Sequence, residues 1–175
     1  MIDRAIIDTD LRKRLAALEL LVLDVDGVMT DGKFALDHKG RETKTFNTQD
    51  GFGIRRLLDA GIVVAIITGR SSGAVTHRAN ELGIGHVVQG ARDKAQAIRE
   101  LLEANGVEAT NAAAMGDDVP DLDMFQTVAV PIAVANAVDD VKDAAALVTQ
   151  KHGGEGAIRE IADLILDCRD EAITS

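Results

Sequence analysis

The chain has no tryptophan and no tyrosine, and only four phenylalanines among its 175 residues. Its core must therefore be built from Val, Ile, Leu and Ala, as buried parallel strands and their covering helices usually are. A single cysteine, Cys168, excludes an internal disulfide and gives no sign of an oxidising compartment. No apolar run approaches the ~20 residues that a membrane span needs. The opening stretch MIDRAIIDTDLRKRL carries acids throughout and lacks the apolar centre of a signal peptide. A soluble, cytoplasmic protein with no membrane partner is expected. Positive charge is scarce too: 19 Lys and Arg face 29 Asp and Glu, for a formal net charge of -10. That deficit argues against a nucleic-acid partner, whose phosphates demand a basic footprint. It leaves room for a small anionic substrate, because a metal ion and a few local cations can reverse the sign of one pocket.

What is present is an apolar fraction of 46%, enough for one core in one domain spanning 1–175. The first 18 residues read as a short amphipathic helix. LLVLDVDG at 20–27 is a continuous apolar run ending in acids and Gly, the pattern of a buried central strand. Residues 33–37 and 42–46 alternate roughly and flank His38-Lys39-Gly40-Arg41, so a β-hairpin flap is expected at about 31–46. A helical pattern returns from Asp50 and stops at Gly61. A strand follows over Ile62–Ile67, then a helix to about Leu82. A strand at 86–89, a helix over roughly 93–104 and a strand at 112–115 come next. A short helix, a strand near 131–134, a helix from about 138, a strand at 146–148 and a helix from Glu155 complete the chain. Strand and helix alternate throughout, which predicts an α/β fold: a central parallel sheet between two helix layers, three-layer and Rossmann-like.

Ligands of such sheets bind at the carboxyl ends of the strands. There the chain places Asp24 and Asp26, Thr68, and the pair Asp117-Asp118, with Lys94 opening a helix between them. This set suits phosphate-ester hydrolysis. A carboxylate can attack phosphorus and split the reaction into two easier steps. Mg²⁺ removes the repulsion between carboxylate and phosphate. Lys94 and the Thr68 hydroxyl can hold phosphate oxygens, and Asp26 can protonate the leaving group and then activate water.

DVDGV at 24–28, Thr68-Gly69-Arg70, Lys94 and GDDVPD at 116–121 resemble, in order and at strand ends, the four motifs of the haloacid dehalogenase superfamily. The resemblance implies Asp24 as nucleophile and metal ligand. It implies Asp26 as acid/base, binding metal through its backbone carbonyl. Thr68 and Lys94 would hold the phosphoryl group, Asp117 would be a metal ligand, and Asp118 would support it. DVDGVMTDG, FNTQDGFGI, IITGR, Arg78, QGARDK and GGEGAIRE carry a closer resemblance, to the 3-deoxy-D-manno-octulosonate 8-phosphate phosphatases of lipopolysaccharide biosynthesis. Met29 stands where that family usually has Leu. Pro120 falls inside the fourth motif, where the first turn of a helix tolerates it. The tail after the last helix is short, in a family whose tail can reach a neighbouring subunit's site.

The gaps between motifs leave no room for a cap domain, so the site should be open unless a neighbouring subunit covers it. The resemblance implies a homotetramer with a shared active site, docked through the hairpin. For a sugar acid phosphate, Arg70 and Arg78 are read as one helix face offering guanidinium forks to a carboxylate. Asn47, Thr48, Gln49, Asp50 and Gly51 are read as a polar loop before a helix N-terminus, with Arg55 a turn further on. Arg70 and Glu81 differ from the Glu and Lys at those positions in relatives acting on 2-keto-3-deoxynononate 9-phosphate, which favours the eight-carbon substrate over that alternative. Two non-enzymatic readings compete. A phospho-receiver domain needs an acceptor Asp where Ile66-Ile67-Thr68-Gly69 has none, and a catalytically silent scaffold would not keep every catalytic residue.

Overall fold

The computed structural model describes residues 7–174. The elements run α1 (Thr9–Ala16), β1 (Leu20–Leu23), β2 (Ala35–Leu36), β3 (Glu42–Thr43), α2 (Thr48–Asp59), β4 (Val63–Thr68) and α3 (Gly73–Leu82). They continue with β5 (His86–Gln89), α4 (Lys94–Asn105), β6 (Ala112–Gly116), α5 (Leu122–Phe125), β7 (Val130–Ala133), α6 (Asp139–Ala144), β8 (Leu147–Val148) and α7 (Ala157–Thr174). Among the described residues no helix is long and apolar enough to cross a membrane. The helix expected over the first 18 residues is α1; residues 1–6 lie outside the described residues.

β1 is buried on both faces, so it takes the middle of the sheet, where helices can cover it from both sides. The order is β5-β4-β1-β6-β7-β8, and every pair is parallel. Leu23 is in register with Ile66 on one side and Met115 on the other. α1, α2 and α7 pack together, with α3 against α2, while α4, α5 and α6 pack in sequence. That division is what right-handed crossovers impose when the chain leaves β1 in one direction and returns past it in the other. The expected three-layer α/β architecture is therefore found. The reversal of direction at β1 opens a crevice between β4 and β6 at their carboxyl ends.

Three local expectations are corrected. The hairpin ladder is only two residues a side, β2 on β3, rather than 33–37 on 42–46. Asp37 accepts from the amides of Lys39 and Arg41 and tightens the turn, while Lys44 and Phe46 leave the ladder to pack inward. α2 starts at Thr48, because the Asn47 side chain accepts the Gln49 amide at 2.7 Å and caps the helix there. The supposed polar loop at 47–51 is thus a cap and a first helical turn. α7 starts at Ala157 rather than Glu155, since Gly154 and Gly156 hold φ of 69° and 106°, outside the helical range.

α7 is fastened at its far end by Arg169. Its guanidinium donates to the carbonyls of Ala60 at 2.9 Å, Leu18 at 3.0 Å and Ala16 at 3.3 Å. These carbonyls end α2 and α1 or follow them, where helices leave acceptors unpaired. Arg169→Ala should lower stability by about 1–3 kcal/mol without changing the active-site residues. A urea melt with an unchanged slope checks it; an unaltered midpoint would show that water replaces the guanidinium without loss.

Candidate active site

Each strand end near the crevice delivers one polar side chain. Asp24 follows β1, and its amide bonds the Met115 carbonyl at 3.1 Å, so β6 continues to pair with the chain as far as Asp24. Thr68 ends β4, Asp117 follows β6, and Lys94 is the first residue of α4, capped by Asp93. The Lys94 ammonium lies 2.6 Å from Asp24 Oδ1 and 2.6 Å from Asp121 Oδ1. All three of these groups are buried. Asp121 is spent on structure: its other oxygen accepts the amides of Asp117 at 2.9 Å and Asp118 at 3.3 Å. Asp118 in turn caps the short turn Val119–Asp121, with Pro120 in its first positions as expected.

The chain approaches itself closely here, and two glycines make that possible. Gly27 holds φ of 105°, and a Cβ on it would lie 2.0 Å from Asp117 Oδ2. A Cβ on Gly153 would lie 1.6 Å from the Gly27 carbonyl oxygen. Asn136 bridges the same two loops, donating to that carbonyl at 3.3 Å and accepting from the Gly153 amide at 2.7 Å. The GGEG loop at 153–156 is therefore a buttress behind the Asp24 loop.

Asp24, Asp26, Thr68, Arg70, Lys94, Asp117 and Asp118 all line one cleft of about 240 Å³, together with Asp121. The other sequence-read positions lie elsewhere. Thr48, Gly51, Arg55 and Arg78 line a second depression that shares no residue with the first. Arg78 donates to the Asn47 carbonyl at 3.3 Å and pairs with Glu81 at 2.8 Å. Arg55 donates to the Leu82 carbonyl at 3.1 Å. Gln49 is exposed in the first turn of α2. Asp50 is buried, and its carboxylate accepts the amides of Arg159 at 2.9 Å and Gly156 at 3.2 Å at the start of α7. The reading of Arg70 and Arg78 as one helix face is corrected: Arg70 precedes α3, whose N-cap Ser72 is extended, so the two arginines do not share a helix. Sequence reasoning passed over Asp121, although it stands inside the quoted GDDVPD run, and Lys44, which pairs with Asp26.

The electrostatics of the cleft are those of too many acids. Burial, then repulsion from Asp121, raises the Asp24 carboxyl to about 6, against the pull of Lys94. Burial, then repulsion from Asp24, Asp121 and Asp118, raises Asp117 to about 7. Burial works against the Lys94 charge, but Asp24 and Asp121 outweigh it and hold its pKa above the ordinary lysine value. One carboxylate oxygen from each of Asp24, Asp117 and Asp121 lies within 4.8 Å of the others. Among the described residues no hydrogen bond reaches the Asp117 carboxylate. An all-oxygen cluster short of positive charge fits a hard divalent cation such as Mg²⁺. Asp24 and Asp117 have oxygens to give it, whereas Asp121 has both committed.

A model of the haloacid dehalogenase-like hydrolase family matches residues 84–161. The 3-deoxy-D-manno-octulosonate 8-phosphate phosphatase KdsC of Yersinia pestis is 44% identical over 162 residues, 93% of this chain and 87% of that one. The crystal structure of the Yersinia pestis phosphatase superposes with a TM-score of 0.92 at 43% identity, covering 94% of this chain and 89% of the other. That of the Moraxella catarrhalis 3-deoxy-D-manno-octulosonate 8-phosphate phosphatase, in complex with magnesium ion, phosphate ion and KDO, superposes at 0.89 with 39% identity, covering 94% and 97%.

The raised carboxyls set a direction with pH. In the metal-free protein Asp24 and Asp117 keep protons up to about 6 and about 7, which the unfolded chain releases around 3.8. The unfolded state then binds fewer protons, so the metal-free fold should lose stability as pH rises from about 4 to about 7. Mg²⁺ competes with those protons and should raise the melting temperature more at about pH 8 than at about pH 5. Thermal melts with and without Mg²⁺ at both pH values check this, and an equal shift at both would contradict it. Gly153→Ala should push the Asp24 loop out of place, costing about 1–3 kcal/mol and lowering activity with it; urea melts and turnover measured together check that.

Proposed function

The chain belongs to the haloacid dehalogenase-like hydrolases, in the family of 3-deoxy-D-manno-octulosonate 8-phosphate phosphatases, and on that premise we propose that it hydrolyses this sugar acid phosphate. It does so in the cytoplasm, within lipopolysaccharide biosynthesis. The observation that carries the reading is the buried Asp24 carboxylate, 2.6 Å from the Lys94 ammonium at the floor of a cleft lined by Thr68, Asp26 and Asp117.

Asp24 is the nucleophile. One of its oxygens attacks phosphorus, the ester bond breaks, and the Asp26 carboxyl gives its proton to the departing sugar oxygen. A water oxygen then attacks the aspartyl-phosphate, gives a proton to the Asp26 carboxylate and leaves inorganic phosphate and free Asp24. Lys94 fixes the nucleophile's free oxygen by holding its neighbour, and with the Thr68 hydroxyl it meets the charge on the phosphoryl oxygens. Asp24 and Asp117 would hold a magnesium ion through their carboxylates, with the Asp26 backbone carbonyl as the family resemblance implies, and Asp118 and Asp121 shape the turn that carries Asp117. Bound there, magnesium supplies the positive charge that draws both raised carboxyls into ionised form and screens them from the phosphate.

The cleft, at about 240 Å³, is smaller than the roughly 300–1,000 Å³ of pockets that enclose whole ligands. It suits the phosphate end of the substrate. The rest of the sugar acid needs walls that the described residues do not raise over the cleft. Phe34 and Leu36 on the hairpin are 42% and 59% exposed, apolar surface that favours a protein partner. Both observations favour a neighbouring subunit over the cleft, in keeping with the homotetramer that the family resemblance implies, in which one subunit's hairpin and the second depression, with Arg55 and Arg78, help close a neighbour's site. Arg70 stands at the mouth of the cleft and meets the substrate carboxylate.

Asp24→Asn should cut turnover at least about 10³-fold while leaving the fold intact; retained activity would contradict the mechanism. On a panel of phosphate esters, kcat/KM should favour the eight-carbon acid over 2-keto-3-deoxynononate 9-phosphate by at least about tenfold. A flat panel would remove the specific substrate and leave only the reaction type.

A further inference from the structure

Lys44 leaves the hairpin ladder one residue after β3, and its side chain has no exposed area. A lysine enclosed in this way must be paired. Its Nζ bonds Asp26 Oδ1 and lies 3.4 Å from Glu42 Oε1. Arg70 holds the opposite ends of the same two acids, with Nη2 at 2.6 Å from Glu42 Oε2 and Nε at 3.5 Å from Asp26 Oδ2. Two carboxylates and two cations thus close a ring of balanced charge. The Phe34 ring covers both cations, 5.5 Å from Lys44 Nζ and 4.2 Å from Arg70 Cζ.

The two cations are not equally free. Arg70 is half exposed on the loop after β4, and its 3.5 Å approach to Asp26 is too long for a hydrogen bond. Asp26 Oδ2 is buried and has no hydrogen-bond partner. Lys44 is shut in beneath the hairpin. The geometry points to Lys44 as a positioning residue: it pins Asp26 by Oδ1 and reserves Oδ2 for proton transfer once Arg70 turns to the substrate. Without the Lys44 charge, Asp26 and Glu42 would compete for Arg70 alone and draw it across Oδ2. The inference rests on the reading of Asp26 as the acid.

A leaving group that needs no proton separates positioning from mere support of the fold. Lys44→Met keeps the length of the side chain and removes its charge; Lys44→Gln keeps a donor and is made in parallel in case the first does not fold. Release of the leaving group in a single turnover, before water attacks the aspartyl-phosphate, is measured with Mg²⁺ on 3-deoxy-D-manno-octulosonate 8-phosphate and on p-nitrophenyl phosphate, with Asp26→Asn as control. That step isolates the acid role of Asp26 from its later role as base, which both esters share. General acid catalysis is worth about 10²–10⁴-fold, so partial loss of its alignment should slow release of the sugar about 10–100-fold. On the nitrophenyl ester the loss of that rate should stay within about threefold, because that leaving group departs unprotonated. The concentration of sugar phosphate that half-saturates the rate should change less than the rate itself. Equal losses on both esters, or none, with Asp26→Asn still selective for the sugar phosphate, would overturn the role of Lys44 alone. If Asp26→Asn loses equally on both, the acid reading of Asp26 falls and the inference falls with it.

Discussion

The Lys94 ammonium, buried between Asp24 and Asp121 at 2.6 Å from each, is the contact around which the site is arranged. Bringing those acids together, with Asp117 beside them, costs electrostatic energy that burial magnifies. One lysine offsets part of it. The residue is visible in the raised carboxyls of Asp24 and Asp117, and it is what makes the cleft ready for a divalent cation. Asp121 does two jobs at once. It anchors Lys94 with one oxygen and holds the amides that aim Asp117 with the other. The close approach of Gly27 to Asp117, and of Gly153 to Gly27, packs the loops around that cluster so that it does not spread.

The sheet order serves the same end. β1 lies between β4 and β6, so its carboxyl end is where three polar strand ends converge. Helices fill both faces, and the small hairpin stands beside the cleft without lining it. That hairpin is tied down by charge rather than by area. Lys44 and Arg70 knit it to Asp26 through Glu42, and its apolar residues Phe34 and Leu36 stay partly exposed. Chemistry and closure are thereby joined at Asp26, which touches the hairpin on one side and the cleft on the other.

Much of this was legible in the sequence because it depends on local pattern. Apolar runs ending in Asp24, Thr68 and Asp117 announced strand ends, and their order announced a parallel sheet. The seven residues at the cleft came from motifs that sit next to those ends. What escaped depends on distant partners. Lys44 looked like any polar residue of a short strand; only folding carries it 18 positions back to Asp26. Asp50 looked available to a ligand, yet it caps a helix more than 100 residues later. Arg70 and Arg78 were eight apart, but an extended cap at Ser72 broke the helical register between them. Helix starts at Thr48 and Ala157 moved for the same kind of reason, a side-chain cap in one case and left-handed glycines in the other.

The measurement that goes most directly to the central claim is rapid acid quench of the Mg²⁺-loaded protein during turnover of 3-deoxy-D-manno-octulosonate 8-phosphate, followed by peptide mass spectrometry. The account expects a phosphoryl group on the peptide that carries Asp24, labile to hydroxylamine as an acyl phosphate is. Turnover with that peptide never modified, or with the phosphoryl group on another residue, would contradict it.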